Sequence, residues 1–179
     1  MRVFLALELN EAAKERLAAI QTQIRQTGVL ATYPNANELH ATLAFYGERS
    51  PNQIRQMAEA LAGIEHPAME LTLYGLGAFP KMEHIRVAWA GFSDGRKELI
   101  QLQQILADAL GYRNDQPFHP HVTLARIKTA QHKDRLQAFL KKNEKTEIAS
   151  FQADTLTLYE SKLSAGGPAY VALETLELE

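Results

Sequence analysis

The sequence predicts an α+β fold made of two similar halves, and two observations predict it. The first is an element order of strand, helix, strand, helix, strand that runs once through residues 1 to about 80 and starts again at about 81. The second is a motif, HATLA from His40 and HVTLA from His121, on the middle strand of each run. The spacing links the two observations. From Val3 to His40 is 37 residues and from Ile85 to His121 is 36, while His40 to Met69 is 29 and His121 to Phe151 is 30. No linker or low-complexity stretch divides the runs, so the expected organisation is one compact domain, 1–179, of two pseudo-symmetric halves, about 1–80 and 81–179.

Each element has a local cause. RVFLALEL, Arg2 to Leu9, is rich in apolar and β-favouring residues and reads as a buried strand. Asn10 caps a helix over EAAKERLAAIQTQIRQ that stops at Gly28. ELHATLAFYG is a strand, and SPNQIRQMAEALAGI is a helix opened by Ser50 as cap, Pro51 at the first helical position and Gln53 closing a capping box. MELTLYGLGAF and HIRVAWAGF are strands joined through Pro80, Lys81, Met82 and Glu83, a connection short enough for a hairpin. DGRKELIQLQQILADAL is a helix stopped by Gly111, FHPHVTLARI a strand and QHKDRLQAFLKKN a helix. FQADTLTLYESKL and AYVALETLEL read as strands flanking a turn at Ser164 to Pro168.

Composition narrows the functions. A 46% apolar chain of 179 residues can bury a core. Lys plus Arg is 19 against 21 for Asp plus Glu, a net charge of −2, so no global positive field attracts long duplex nucleic acid and any polyanion must be gripped locally. The absence of cysteine excludes disulfides, thiolate nucleophiles and Cys-type zinc sites. MRVFLALELN, interrupted by Glu8, is too short for a signal-peptide core, and no apolar run approaches a membrane span. The expectation is a soluble cytoplasmic protein without membrane association, and a monomer.

The chemistry concentrates in the repeated motif. Side chains on a strand alternate faces, so His40 and Thr42 share a face, as do His121 and Thr123. Equivalent strands of a duplicated chain fall on opposite sides of a shared groove. Two imidazoles there form a general acid and base pair, since histidine titrates near pH 6.5 and one ring can be neutral while the other is charged. Threonine hydroxyls donate hydrogen bonds to an anionic oxygen. The four groups suit in-line displacement at a phosphodiester, above all a strained cyclic one, which needs neither metal nor other cofactor.

The paired HxTL motifs, the opening RVFLAL, the LGAFP run, PHVTLAR and the closing YESKLSAGGPAY together resemble the 2H phosphoesterase superfamily, specifically the bacterial and archaeal RNA 2′,3′-cyclic phosphodiesterases, historically called 2′-5′ RNA ligases. The resemblance covers essentially the whole chain. It implies a bilobal fold of two antiparallel sheets around a central groove, helices outside, with one HxTx motif per lobe. It further implies that His40 is the proton donor to the leaving oxygen, that His121 is the proton acceptor activating water, and that Thr42 and Thr123 bind the phosphate. The expected reaction converts 2′,3′-cyclic phosphate ends of RNA or small nucleotides to 2′-phosphomonoesters, with a reversible ATP-independent 2′-5′ ligation in which a 5′-hydroxyl takes the place of water.

Two further positions depend on backbone geometry. Phe45 and Arg126 each stand five residues after a motif histidine, and the resemblance gives Arg126 a phosphate-binding role. An odd offset puts both on the face opposite the histidines unless a bulge or the strand's end turns them inward. Turned inward, Arg126 meets the phosphate and Phe45 stacks a terminal base; otherwise Phe45 is core and Arg126 a surface residue. Two rival functions remain. His119 and His121 as an HxH pair on one strand face, with His40 opposite, could make a zinc-dependent phosphohydrolase. A non-catalytic module that binds RNA ends could use the same groove.

Overall fold

Nine strands and four helices follow one another along residues 1–179 of the computed structural model. They are β1 (Arg2–Glu8), α1 (Glu11–Gln26), β2 (Ala31–Thr32), β3 (His40–Glu48), α2 (Pro51–Ala62), β4 (Met69–Lys81), β5 (His84–Phe92), α3 (Arg96–Leu110), β6 (Val122–Ile127), α4 (Lys133–Lys142), β7 (Glu147–Ala153), β8 (Thr155–Ser164) and β9 (Gly167–Glu177), with a single 3-10 turn at Ala36–Glu38. The helix ends are where the capping residues put them. Asn10 accepts from the Ala13 amide at 2.8 Å, and Ser50 and Gln53 bond reciprocally at 3.2 and 2.9 Å as a capping box. Gly111 closes α3 in a left-handed conformation, φ 73°. No helix is long and apolar enough to cross a membrane.

All strand pairs are antiparallel, in the order β7-β4-β5-β6-β3-β1-β8-β9, with β2 on β6. Hydrogen bonding makes these strands one nine-stranded sheet, and the two antiparallel sheets of the expected fold correspond to two blocks of it, β7-β4-β5-β6 and β3-β1-β8-β9. They meet through β3 and β6, which are in register only at Ala41 and Val122. The blocks exchange strands between the sequence halves: β4, from the first half, pairs with β5 and β7 of the second, and β8 and β9 return to β1 of the first.

Two departures from the expected element boundaries bear on the site. FQADTLTLYESKL is two strands: β7 ends at Ala153, Asp154 breaks the run, and β8 begins at Thr155. The break is an exchange of partner, because β7 pairs with β4 while β8 pairs with β1. FHPHVTLARI is strand only from Val122, since Pro120 has no amide to give to a ladder. His121 therefore stands immediately before β6.

Both motif strands carry a bulge at the same residue. Leu5 and Ala6 of β1 face Ala44 and Thr42, which leaves Leu43 without a register partner in β1. Ala88 and Trp89 of β5 face Ala125 and Thr123, which leaves Leu124 unpartnered in the same way. The burial pattern records the extra residue, because Leu43 and Ala44 are both buried, and so are Leu124 and Ala125. One inserted residue reverses the alternation beyond it.

The core is continuous across the two blocks, a single cluster of 39 buried residues that includes Leu5, Leu7, Leu43, Leu71, Leu124 and Leu158. Helix α1 packs against β6 and β7, and α3 packs against β3, β4 and α2. Because both blocks draw on one cluster, urea should unfold the chain in a single transition read identically by tryptophan fluorescence and circular dichroism. Leu124→Ala should lower the unfolding free energy by about 2–5 kcal/mol without splitting that transition.

Candidate active site

The register of the junction builds the site. With Ala41 opposite Val122 in an antiparallel pair, His40 comes opposite Thr123 and Thr42 opposite His121. Ala41 and Val122 are fully buried beneath, so the flanking histidines and threonines project from the other face. All four line one cavity of about 470 Å³.

Each imidazole is held by the backbone. His40 Nδ1 lies 2.6 Å from the Glu38 carbonyl oxygen, and His121 Nδ1 lies 2.7 Å from the His119 carbonyl oxygen. A carbonyl only accepts, so each Nδ1 carries a proton and each neutral ring turns an unprotonated Nε2 outward. His40 Nε2 sits 3.0 Å from Thr42 Oγ1, which donates to it while the ring is neutral. Aromatic rings fix the planes: Phe4 stacks on His40 at 5.2 Å, Tyr170 meets its edge at 5.7 Å, and Phe79 stands edge-on to His121 at 4.9 Å.

Burial pushes both imidazoles below their ordinary value of 6.5, but their neighbours differ in sign. Around His40, after burial, the Glu38 carbonyl and the carboxylates of Glu8 and Glu38 favour the charged ring, with Lys14 opposing. Around His121, the His119 carbonyl favours it, while His119, Arg126 and His40 all disfavour it. Local charge thus favours a proton on His40 over one on His121.

The bulges settle where Phe45 and Arg126 go. Both follow the inserted leucine, and both line the cavity with the histidines. Phe45 is 46% exposed, too open for a core residue, and Arg2 lies over its ring at 5.5 Å. His119 goes elsewhere. Because residues 117–121 precede the strand, His119 and His121 do not share a strand face; their rings are 6.1 Å apart at 52°. His119 packs edge-on to Trp89 at 4.8 Å and lines a separate cavity with Arg96 and Glu144. No three His, Asp or Glu side chains are grouped as ligands for one ion, so the set His40, His119 and His121 is not assembled.

Several cavity residues were not singled out from the sequence. Tyr33, Asn35 and Glu38 come from the segment between β2 and β3, and Ser161 and Tyr170 from the β8–β9 hairpin. The turn residues Gly166, Gly167 and Pro168, read only as hairpin residues, form part of the wall. Polar residues without periodicity in TYPNANE were the one sequence signal for the first group.

Nitrogen-resolved NMR titration should find both rings as the Nδ1–H tautomer, each titrating below 6.5. Removing a carboxylate near His40 should lower its pKa further, and removing the guanidinium near His121 should raise its pKa, so Glu8→Gln and Arg126→Ala are expected to move the two titrations in opposite directions.

A family model described as the 2′-5′ RNA ligase superfamily matches residues 11–164. The chain is 35% identical over 162 residues to the RNA 2′,3′-cyclic phosphodiesterase of Aeropyrum pernix, covering 88% of this chain and 92% of that one. It is 27% identical over 188 residues to the protein of the same name from Methanothermobacter thermautotrophicus, covering 99% of each. Among solved structures it is similar to Escherichia coli LigT in apo form, with a TM-score of 0.79 and 27% identity over 99% of this chain and 96% of that one. It is also similar to LigT complexed with 3′-AMP, at a TM-score of 0.79 and 26% identity over 99% and 97%.

Proposed function

This chain belongs to the 2′-5′ RNA ligase superfamily, and on that basis we propose that it is an RNA 2′,3′-cyclic phosphodiesterase that hydrolyses cyclic phosphate ends to 2′-phosphomonoesters without a metal. The observation that carries the reading is the pair of imidazoles, each anchored at Nδ1 on a carbonyl and each presenting Nε2 to the cavity that Thr42, Thr123 and Arg126 also line. Relatives named for this activity, and LigT complexed with 3′-AMP, point to the same substrate class. RNA ends or small nucleotides carrying a 2′,3′-cyclic phosphate are the substrates, and the cytoplasm is the proposed location.

In this mechanism the two histidines divide the labour as their neighbours dictate. Neutral His121 takes a proton from water as the water oxygen attacks phosphorus. The P–O3′ bond breaks in line, and protonated His40 gives its Nε2 proton to the departing 3′ oxygen. The hydroxyls of Thr42 and Thr123 donate to the non-bridging oxygens, and Arg126 neutralises the charge that builds there. Phe45 offers its exposed face to the terminal base. Attack by a 5′-hydroxyl on the same cyclic phosphate replaces water in the ligation direction, forming a 2′-5′ linkage with the same proton transfers and no ATP.

The deciding experiment incubates an oligonucleotide ending in 2′,3′-cyclic phosphate with the protein in chelator and assigns the product. A terminal 2′-phosphate is expected, with kcat/KM down on the order of 10²–10⁴-fold in His40→Ala and in His121→Ala. Substrate bound but unchanged after long incubation would make the chain a binding module instead.

The pH dependence follows from the sign of the shifts. Turnover needs His40 protonated, and His40 in the free protein loses its proton below 6.5, so kcat/KM should fall on an alkaline limb below that value. Bound phosphate stabilises the charged ring, so the alkaline limb of kcat should lie at higher pH than that of kcat/KM. Coincident limbs would take His40 out of the donor role.

A further inference from the structure

Two buried amides sit behind the site without facing the cavity. Gln21 on α1 is 3% exposed and Gln103 on α3 is 2% exposed. The Gln21 amide donates to the Leu124 carbonyl at 3.1 Å and to the Pro34 carbonyl at 3.0 Å. The Gln103 amide donates to the Leu43 carbonyl at 3.2 Å. Leu124 and Leu43 are the bulged residues of the two motif strands. The arrangement is crossed: each glutamine belongs to one half of the sequence and reaches the bulge of the other. It is also repeated, since Gln21 stands 18 residues after Val3 and Gln103 stands 18 residues after Ile85.

Burying a primary amide in a helix–sheet interface is costly unless its hydrogen bonds are made, and a leucine would fill such a site more cheaply. The acceptors explain its presence. A bulged residue falls out of the ladder, and here it does so where β3 and β6 have already splayed from their single registered pair. A donor fixed on a helix supplies the hydrogen bond that neither flanking strand's register provides.

We propose that Gln21 and Gln103 are positioning residues that pin the two bulges and so hold the reversal of face that aims Arg126 and Phe45 at the reacting phosphate and base. Gln21 acts through Leu124 on Arg126, and Gln103 acts through Leu43 on Phe45. Through its second bond Gln21 also ties down Pro34, whose segment lines the cavity. The inference rests on the roles given above to Arg126 and Phe45.

Crossed double-mutant cycles test it, using full-length protein, a 2′,3′-cyclic-terminated oligonucleotide, and urea unfolding of every variant. Gln21→Met keeps the length of the side chain and removes the donor. It should raise KM roughly fivefold in the wild-type background and by less than about twofold in Arg126→Ala, while remaining additive with Phe45→Ala. Gln103→Met should show the converse, coupled to Phe45 and additive with Arg126. Should either Met variant fail to fold, the corresponding Gln→Asn variant, one methylene short of its acceptor, reads the same couplings. Additive effects in all four cycles, scaling with lost stability, would reduce both glutamines to fold supports and overturn the proposal. A crystal structure of Gln21→Met separates this result from a failure of the functional reading. Arg126→Ala with unaltered KM counts against the phosphate role alone; the brace is then upheld if Arg126 has swung out of the cavity and overturned if it has not.

Discussion

One registered residue pair, Ala41 with Val122, joins the two blocks of sheet, and the site exists because the joining stops there. A longer ladder between β3 and β6 would continue the sheet across the junction and close the groove. A missing one would leave each histidine beside only its own threonine. A single pair does something else: it puts each imidazole opposite the other strand's hydroxyl and then lets the strands diverge. The buried methyl of Ala41 and the side chain of Val122 hold this point to the common core, so the spacing of the two imidazoles is set by packing as well as by hydrogen bonds.

The electrostatics are as local as the geometry. With a net charge of −2 the chain has no field to draw in a polyanion, so in the proposed mechanism the attraction comes from the guanidinium of Arg126 and whichever imidazole is charged. Burial works against charging either ring, and Glu8 and Glu38 offset part of that cost at His40 only. Glu8 is itself held, accepting from the Tyr159 hydroxyl across the β1–β8 pair. The difference between the surroundings of the two motif histidines therefore comes from residues outside the motifs, and it is what the proposed mechanism draws on for the direction of its proton transfers.

Much of this was legible in the sequence, for physical reasons that can be named. Caps are local, so Asn10, Ser50 with Gln53, and Gly111 announced their helix ends. The repeated element spacing and the repeated motif stand in the sequence itself, and together they single out His40, Thr42, His121 and Thr123. What was not legible depends on partners. The adjacent apolar pairs Leu43–Ala44 and Leu124–Ala125 are present in the motif itself, yet whether two buried neighbours mean a bulge or a strand end is decided by the facing strand. Asp154 looks like any polar residue on an alternating run until β7 and β8 are seen to have different neighbours. His119 fails as a ligand because Pro120 delays the strand, not because of anything at His119. Gln21 and Gln103 stand at equal spacing after Val3 and Ile85, yet an amide on an apolar helix face carries no signal of its acceptor.

The return of β8 and β9 to β1 has a temporal side. A ribosome releases β1 first, yet the strand beside it at Thr155–Ser164 emerges only after some 150 further residues, and Tyr170 later still. Until then the nascent chain has both motifs but an unfinished wall and an unpaired edge on β1. Such long-range closure slows folding and leaves that edge exposed during synthesis. It also means that a partly made chain cannot present a complete cavity to the RNA around it, so the capacity to act on RNA ends is withheld until synthesis has passed the hairpin.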